Sequence, residues 1–273
     1  MDLRWPRQGI FRQMVRMTSV STPLIVAHRG ASWDYPDNTL TAIRAAWTQG
    51  ADCLEIDVRL SRDGTVVLSH DDTFQHTAGR SDAVAALDWA TIRSLDVGSW
   101  KNPAFAGERV PTFTEALAAV PAGKRVLVEI KTGEHIVPAL QRDIENGPLA
   151  PEAIIFICFD AAVLRRTKAV MPHIKALHLA GGAWENKTRT DAELDALIAQ
   201  AVNSGFDGLD LGDDWPLDAA RVSRVHAAGL ECHVWTVNDA ARARQLAAAG
   251  VDGITTDRPG WLREQLEAFQ AKV

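Results

Sequence analysis

Glu55 and Asp57 stand two residues apart in an otherwise apolar run, Cys53-Leu54-Glu55-Ile56-Asp57-Val58. On a β-strand that spacing puts both carboxylates on one face and Ile56 and Val58 on the other. Neighbouring carboxylates repel, and without a cation at least one tends to stay protonated. Glu129-Ile130-Lys131 repeats the spacing at the end of another apolar run. It adds a third carboxylate and an ammonium. Oxygen ligands of this kind suit a hard divalent ion, Mg²⁺ or Ca²⁺. His28 and Arg29 follow the run Leu24–Ala27, and His70 follows Val67-Leu68-Ser69. Histidine is the side chain best placed to exchange protons near neutral pH. Arg29 and Lys131 beside the carboxylates suit an anionic substrate, phosphate above all, through charge-assisted contacts. Spacing alone leaves an alternative open, a structural salt-bridge network of Glu55 and Asp57 with Arg29, Arg59 or Lys131. His178 and His233 also fall near strand ends; the other histidines have no comparable setting.

Eight short apolar runs must position these residues: Leu24–Ala27, Cys53–Val58, Arg125–Ile130, Ala153–Ile157, Ile174–His178, Asp207–Asp210, Glu231–Trp235 and Gly253–Thr255. Amphipathic segments alternate with them, near 38–49, 113–120, 134–146, 160–170, 190–203, 216–228, 239–248 and 259–270. Strand–helix alternation of this length predicts parallel βαβ units. A weak repeat supports it: Gln-Gly-Ala-Asp-Cys-Leu at 49–54, Ser-Gly-Phe-Asp-Gly-Leu at 204–209 and Ala-Gly-Val-Asp-Gly-Ile at 249–254. In each, a helix ends at a glycine in the left-handed conformation and a short link enters a strand. Eight such units predict a (β/α)8 TIM barrel, whose functional residues gather at the C-terminal ends of the strands. The competing doubly wound sheet lacks support, since no G-x-G-x-x-G follows the first strand. Residues 72–110 break the rhythm and predict a small insertion after the second strand, able to cap the site. Residues 23–273 then form one domain, and 1–22 an N-terminal extension.

The chain has 273 residues and a formal net charge of −6. Nothing in it is an electrostatic footprint for nucleic acid. No stretch reaches the roughly 18 apolar residues of a membrane helix. Cys53, Cys158 and Cys232 lie in apolar runs without a C-x-x-C pair, as expected of reduced buried thiols in a cytoplasmic protein. Homo-oligomerisation stays open.

Taken together, the motifs resemble the glycerophosphodiester phosphodiesterase family. They are His28-Arg29-Gly30, Asp37-Asn38-Thr39, Glu55-Ile56-Asp57-Val58-Arg59-Leu60-Ser61-Arg62-Asp63-Gly64, Val67-Leu68-Ser69-His70-Asp71 and Glu129-Ile130-Lys131. Val234-Trp235-Thr236-Val237-Asn238 and Asp252-Gly253-Ile254-Thr255-Thr256-Asp257-Arg258-Pro259 extend the likeness, which runs from about 24 to 265. The resemblance implies a (β/α)8 barrel with an insertion after its second strand. It implies metal-dependent hydrolysis of a small-molecule glycerophosphodiester to sn-glycerol 3-phosphate and an alcohol. Carried over, Glu55, Asp57 and Glu129 are metal ligands, and His28 and His70 the acid/base pair. Arg29 and Lys131 contact phosphate, and Asn38 lines the site. Trp235 is either a pocket wall against glycerol or a core aromatic. One departure is Asp37, where the family commonly has Glu. Weighed against this are the phospholipase D-like toxins, a sugar-phosphate isomerase or aldolase, and an inactive binding protein on the same fold.

Overall fold

The computed structural model describes residues 22–182, 185 and 188–270. Positions 1–21 of the expected extension lie outside them. Among the described residues eleven strands form: β1 Leu24–Ala27, β2 Cys53–Leu60, β3 Val66–Leu68, β4 Thr73–Phe74, β5 Arg80–Ala83, β6 Arg125–Ile130, β7 Ile154–Cys158, β8 Lys175–Ala180, β9 Gly208–Gly212, β10 Glu231–Trp235 and β11 Gly253–Thr256. Eight run parallel in the order β1-β11-β10-β9-β8-β7-β6-β2, and β1 pairs back with β2. The sheet is therefore closed, and the fold is the (β/α)8 barrel expected.

Alternation along the strands divides the core. Val26, Cys53, Leu127, Ile155, Ile157, Leu177 and Leu179 fill the barrel interior. Their strand neighbours Ile25, Leu54, Ile56, Val58, Val126 and Val128 face outward and pack against helical Ile43, Leu117, Leu140 and Leu164. Cys53, Glu55 and Asp57 share a face, so the two carboxylates continue the inward row. The three repeated glycines behave as the repeat requires. Gly50, Gly205 and Gly250 have φ of 83°, 68° and 89°, a region glycine enters without steric penalty.

The sequence does not announce three of the strands, β3, β4 and β5. Arg59–Leu60 extends β2 past the expected end, and Val58–Leu60 pairs antiparallel with β3. The Asp63-Gly64 turn, with Gly64 at φ 82°, reverses the chain between them. Thus His70 is delivered by the returning arm of a hairpin and not by a barrel strand. The following residues form the β4–β5 ribbon and two short helices, Gln75–Ala78 and Trp89–Ser94. A local apolar cluster of Val67, Phe74, Val84, Leu87, Ile92, Val97 and Val110 holds this segment to the mouth of the barrel. Among the described residues, no helix is long and apolar enough to cross a membrane, and Cys53, Cys158 and Cys232 are buried and unpaired.

Candidate active site

Two left-handed residues build the floor of the site. Arg29 and Asn38 have φ of 54° and 55°, a region that costs a non-glycine residue about 1–2 kcal/mol. Hydrogen bonds hold both there. Asn38 N–H donates to the Arg29 carbonyl at 3.0 Å, and the Arg29 N–H donates to Glu55 Oε2 at 2.9 Å. The Asn38 amide grips Asp57 at both ends: Nδ2 donates to Oδ2 at 2.8 Å, and Oδ1 accepts from the Asp57 N–H at 3.1 Å. Gly30 between them is compulsory, because a Cβ there would lie 2.6 Å from the Ala42 carbonyl carbon. The strain sits in the two motifs His28-Arg29-Gly30 and Asp37-Asn38-Thr39, and backbone strain commonly concentrates at functional sites. Asp37 reaches Arg29 Nη1 only at 3.4 Å, a long contact for its short carboxylate.

Asp57 and Glu129 are direct neighbours across β2 and β6. Glu55, Asp57 and Glu129 each offer an oxygen, all within 4.8 Å of one another. Arg29 Nε lies 3.1 Å from Asp57 Oδ2, and Lys131 Nζ lies 2.6 Å from Glu129 Oε1 and 3.2 Å from Asp57 Oδ1. Burial works against charge on Asp57, yet Arg29 and Lys131 hold it well below the usual carboxylate range. Burial, with Asp57 and Glu129 beside it, pushes Glu55 well above that range. Burial and Asp57 likewise push Glu129 up to about 7. Glu55 Oε1 is buried without a hydrogen-bond partner. Two cationic side chains therefore leave this acid cluster under-compensated. A hard divalent cation fits the donor set, and Glu55, Asp57 and Glu129 could hold it. Burial opposes the Lys131 ammonium, but Asp57 and Glu129 outweigh it and raise its pKa. A Schiff-base lysine needs a neutral amine, so the aldolase alternative loses its nucleophile.

His28 and His70 flank a cavity of about 530 Å³ that Arg29 and Asn38 also line. Each imidazole is anchored at Nδ1 by a carboxylate, His28 by Asp257 Oδ1 at 2.6 Å and His70 by Asp71 Oδ1 at 2.8 Å. That leaves Nε2 of each for a reactant. Burial is the largest influence on His70 and lowers its pKa against the pull of Asp57. Trp235 does not line this cavity; its indole N–H donates to the Asp210 carbonyl at 3.1 Å, and its ring meets Phe159 edge-on. His178 and His233 are buried away from the cavity.

Two supporting residues, Asp257 and Arg59, were not among the site residues expected from the sequence. Asp257 holds His28 and is itself held by Ser32 Oγ at 3.0 Å and Asn238 Nδ2 at 2.6 Å. Burial would raise its pKa, but the His28 contact brings it down to about 2. Arg59 spreads its guanidinium over two carbonyls, that of His70 at 2.7 Å and that of Lys131 at 3.3 Å. It thereby ties the hairpin arm to β6. The signal for Asp257 was its place directly after the last barrel strand. Asp257→Asn removes the charge that orients His28. We expect a kcat loss of about tenfold to a hundredfold, part of the roughly 10²–10⁴ that a positioned acid–base group supplies. Unchanged steady-state kinetics would show that His28 needs no such anchor.

The model of the glycerophosphoryl diester phosphodiesterase family matches residues 28–261. A glycerophosphodiester phosphodiesterase of Caldanaerobacter subterraneus is 30% identical over 246 residues, spanning 86% of this chain and 94% of its own. One from Bacillus subtilis is 29% identical over 252 residues, spanning 86% of this chain and 84% of its own. Among solved structures, an Oleispira antarctica phosphodiesterase in complex with the product sn-glycerol-3-phosphate is similar at a TM-score of 0.78 and 27% identity, covering 90% of this chain and 97% of that one. With the family's sequence pattern spanning the barrel and its motifs converging on one mouth, the chain belongs to the glycerophosphoryl diester phosphodiesterase family.

Proposed function

We propose that this enzyme hydrolyses glycerophosphodiesters to sn-glycerol 3-phosphate and an alcohol, with a divalent cation at Glu55, Asp57 and Glu129 and with His28 and His70 moving the protons. The observation that carries the reading is the under-compensated carboxylate cluster beside two carboxylate-anchored histidines. A bound cation supplies charge to stabilise the phosphoryl oxygens and to make the attacking hydroxyl more acidic. Arg29 and Lys131 bring further positive charge to the phosphoryl group and hold it against the barrel mouth. His70, whose pKa burial lowers, takes the proton from the glycerol C2 hydroxyl as that oxygen attacks phosphorus. His28, oriented by ionised Asp257, protonates the departing alcohol oxygen as its bond to phosphorus breaks. Water then opens the cyclic phosphodiester with the two roles exchanged.

The test is an enzyme-coupled measurement of glycerol 3-phosphate release from several glycerophosphodiesters. It is run with EDTA and again with Mg²⁺, Ca²⁺ or Mn²⁺ restored. Release that stops with the chelator and returns with a cation is the expected result. Full rates in EDTA would overturn the cation assignment, and no release under any condition would overturn the reaction.

A further inference from the structure

The cavity in front of His28 and His70 extends outward between Trp33, from the loop after β1, and His76, Trp100 and Lys101, from the segment after β3. Its charges are unevenly matched. The carboxylates that line it are already engaged, Asp37 with Arg29, Asp71 with His70 and Asp257 with His28. Lys101 is different. Its Nζ donates to the Ser32 carbonyl at 2.7 Å and lies 5.6 Å from the Trp100 ring centre. No carboxylate among the described residues pairs with it. An ammonium has three N–H donors, so donors remain for a ligand. The two tryptophans that line the rim are partly exposed, and each already carries one cation of the chain. The Arg258 guanidinium lies 4.6 Å from the Trp33 ring centre and 4.7 Å from that of Trp261. Quaternary ammonium groups are recognised by open aromatic faces and nearby negative charge. This rim offers instead an ammonium with no carboxylate partner among the described residues, beside tryptophans that each already carry a cation.

We infer that the outer cavity receives the departing alcohol and selects polyol head groups, whose hydroxyl oxygens accept from Lys101, over quaternary ammonium head groups. Lys101 is the specificity-determining residue. The inference rests on the proposed glycerophosphodiester reaction and adds the class of alcohol to it. A polyol gains a charge-assisted hydrogen bond at Lys101. A choline head group meets a like charge there and loses its own hydration.

The experiment compares kcat/KM of the full chain, with divalent cation, on sn-glycero-3-phosphoglycerol, sn-glycero-3-phosphoinositol and sn-glycero-3-phosphocholine. The unaltered protein is expected to favour the two polyol diesters by about tenfold or more, since each tenfold is about 1.4 kcal/mol. Lys101→Met should bring the ratio close to one, Lys101→Glu should invert it, and Lys101→Arg should keep it. The ratio is taken within one protein, so a general loss of folding or activity cancels from it. Equal or better use of the choline diester by the unaltered protein overturns the inference. So does a Lys101→Met variant with an unchanged ratio. In both cases the phosphodiesterase reading stands. Absence of hydrolysis of all three substrates overturns that reading together with the inference.

Discussion

His28→Ala and His70→Ala should each lower kcat by roughly 10²–10⁴, the usual contribution of a positioned acid or base. Stability should barely move, because the two imidazoles sit at the edge of a cavity with side chains 19% and 38% exposed and fill no core. The double variant should lose little more than the worse single one, since groups that act in one proton-transfer sequence are strongly non-additive. The pH profile separates their roles. Burial holds His70 below the ordinary imidazole value of 6.5. A base must be unprotonated to work, so activity is lost as pH falls, and the acid limb of kcat/KM should have its midpoint below 6.5. That limb should vanish from the residual activity of His70→Ala. A double variant retaining most of its turnover would end the two-histidine mechanism. An acid limb that survives in His70→Ala would reassign the base.

The barrel was legible because its evidence is local and repeated. Each strand is a short apolar run, and each of Gly50, Gly205 and Gly250 closes a helix before the next strand. The carboxylate pair was legible for the same reason, because Glu55 and Asp57 obey the two-residue period of β2 while Ile56 and Val58 face the helices. Strand order put Glu129 on the same rim, and the register between β2 and β6 sets it directly opposite Asp57. These are consequences of periodicity, which a sequence carries openly.

What was hidden depends on contacts between distant residues. Nothing local to Asp257 says that it meets His28, 229 positions away. Nor does the pattern around Arg59 announce two carbonyls supplied by separate segments. The motifs of Arg29 and Asn38 mark both as site residues, but do not show that both are left-handed and bonded to each other. The strand β3 is three residues long and gains its partner only through a turn. Its omission matters, since it is the arm that carries His70 to the mouth. Trp235 shows the converse: the motif around it was legible, while its contacts, to Phe159 and the Asp210 carbonyl, lie outside the cavity of the two histidines.

Glu55→Gln should cost roughly 10³ in kcat/KM, in line with the several kcal/mol that a cation's charge supplies to a phosphoryl transition state. The decisive readout is stability. Without a cation Glu55 is a buried carboxylate pushed well above its normal range, with one oxygen unpartnered. Removing its charge should therefore leave the melting temperature in chelator unchanged or higher. Added Mg²⁺ or Ca²⁺ should stabilise the unaltered protein, by about 2.7 kcal/mol at a hundredfold excess over Kd, and should do nothing for the variant. Glu129 gives the matching pH signature. Its pKa is about 7 folded against 4.5 for the ordinary side chain. Between those values the folded state holds a proton that the unfolded chain has released, so this group's contribution to stability declines as pH rises from about 4.5 to 7. His70 works in the opposite sense near 6.5, since its folded pKa is lowered. The difference between the unaltered protein and Glu129→Gln isolates the carboxylate. In chelator that difference should grow across the window, and a saturating divalent cation, which competes with the proton, should abolish the trend. If Glu55→Gln is destabilised in chelator yet still gains stability from the cation, the carboxylates serve the salt-bridge network with Arg29 and Lys131, and the cation binds elsewhere.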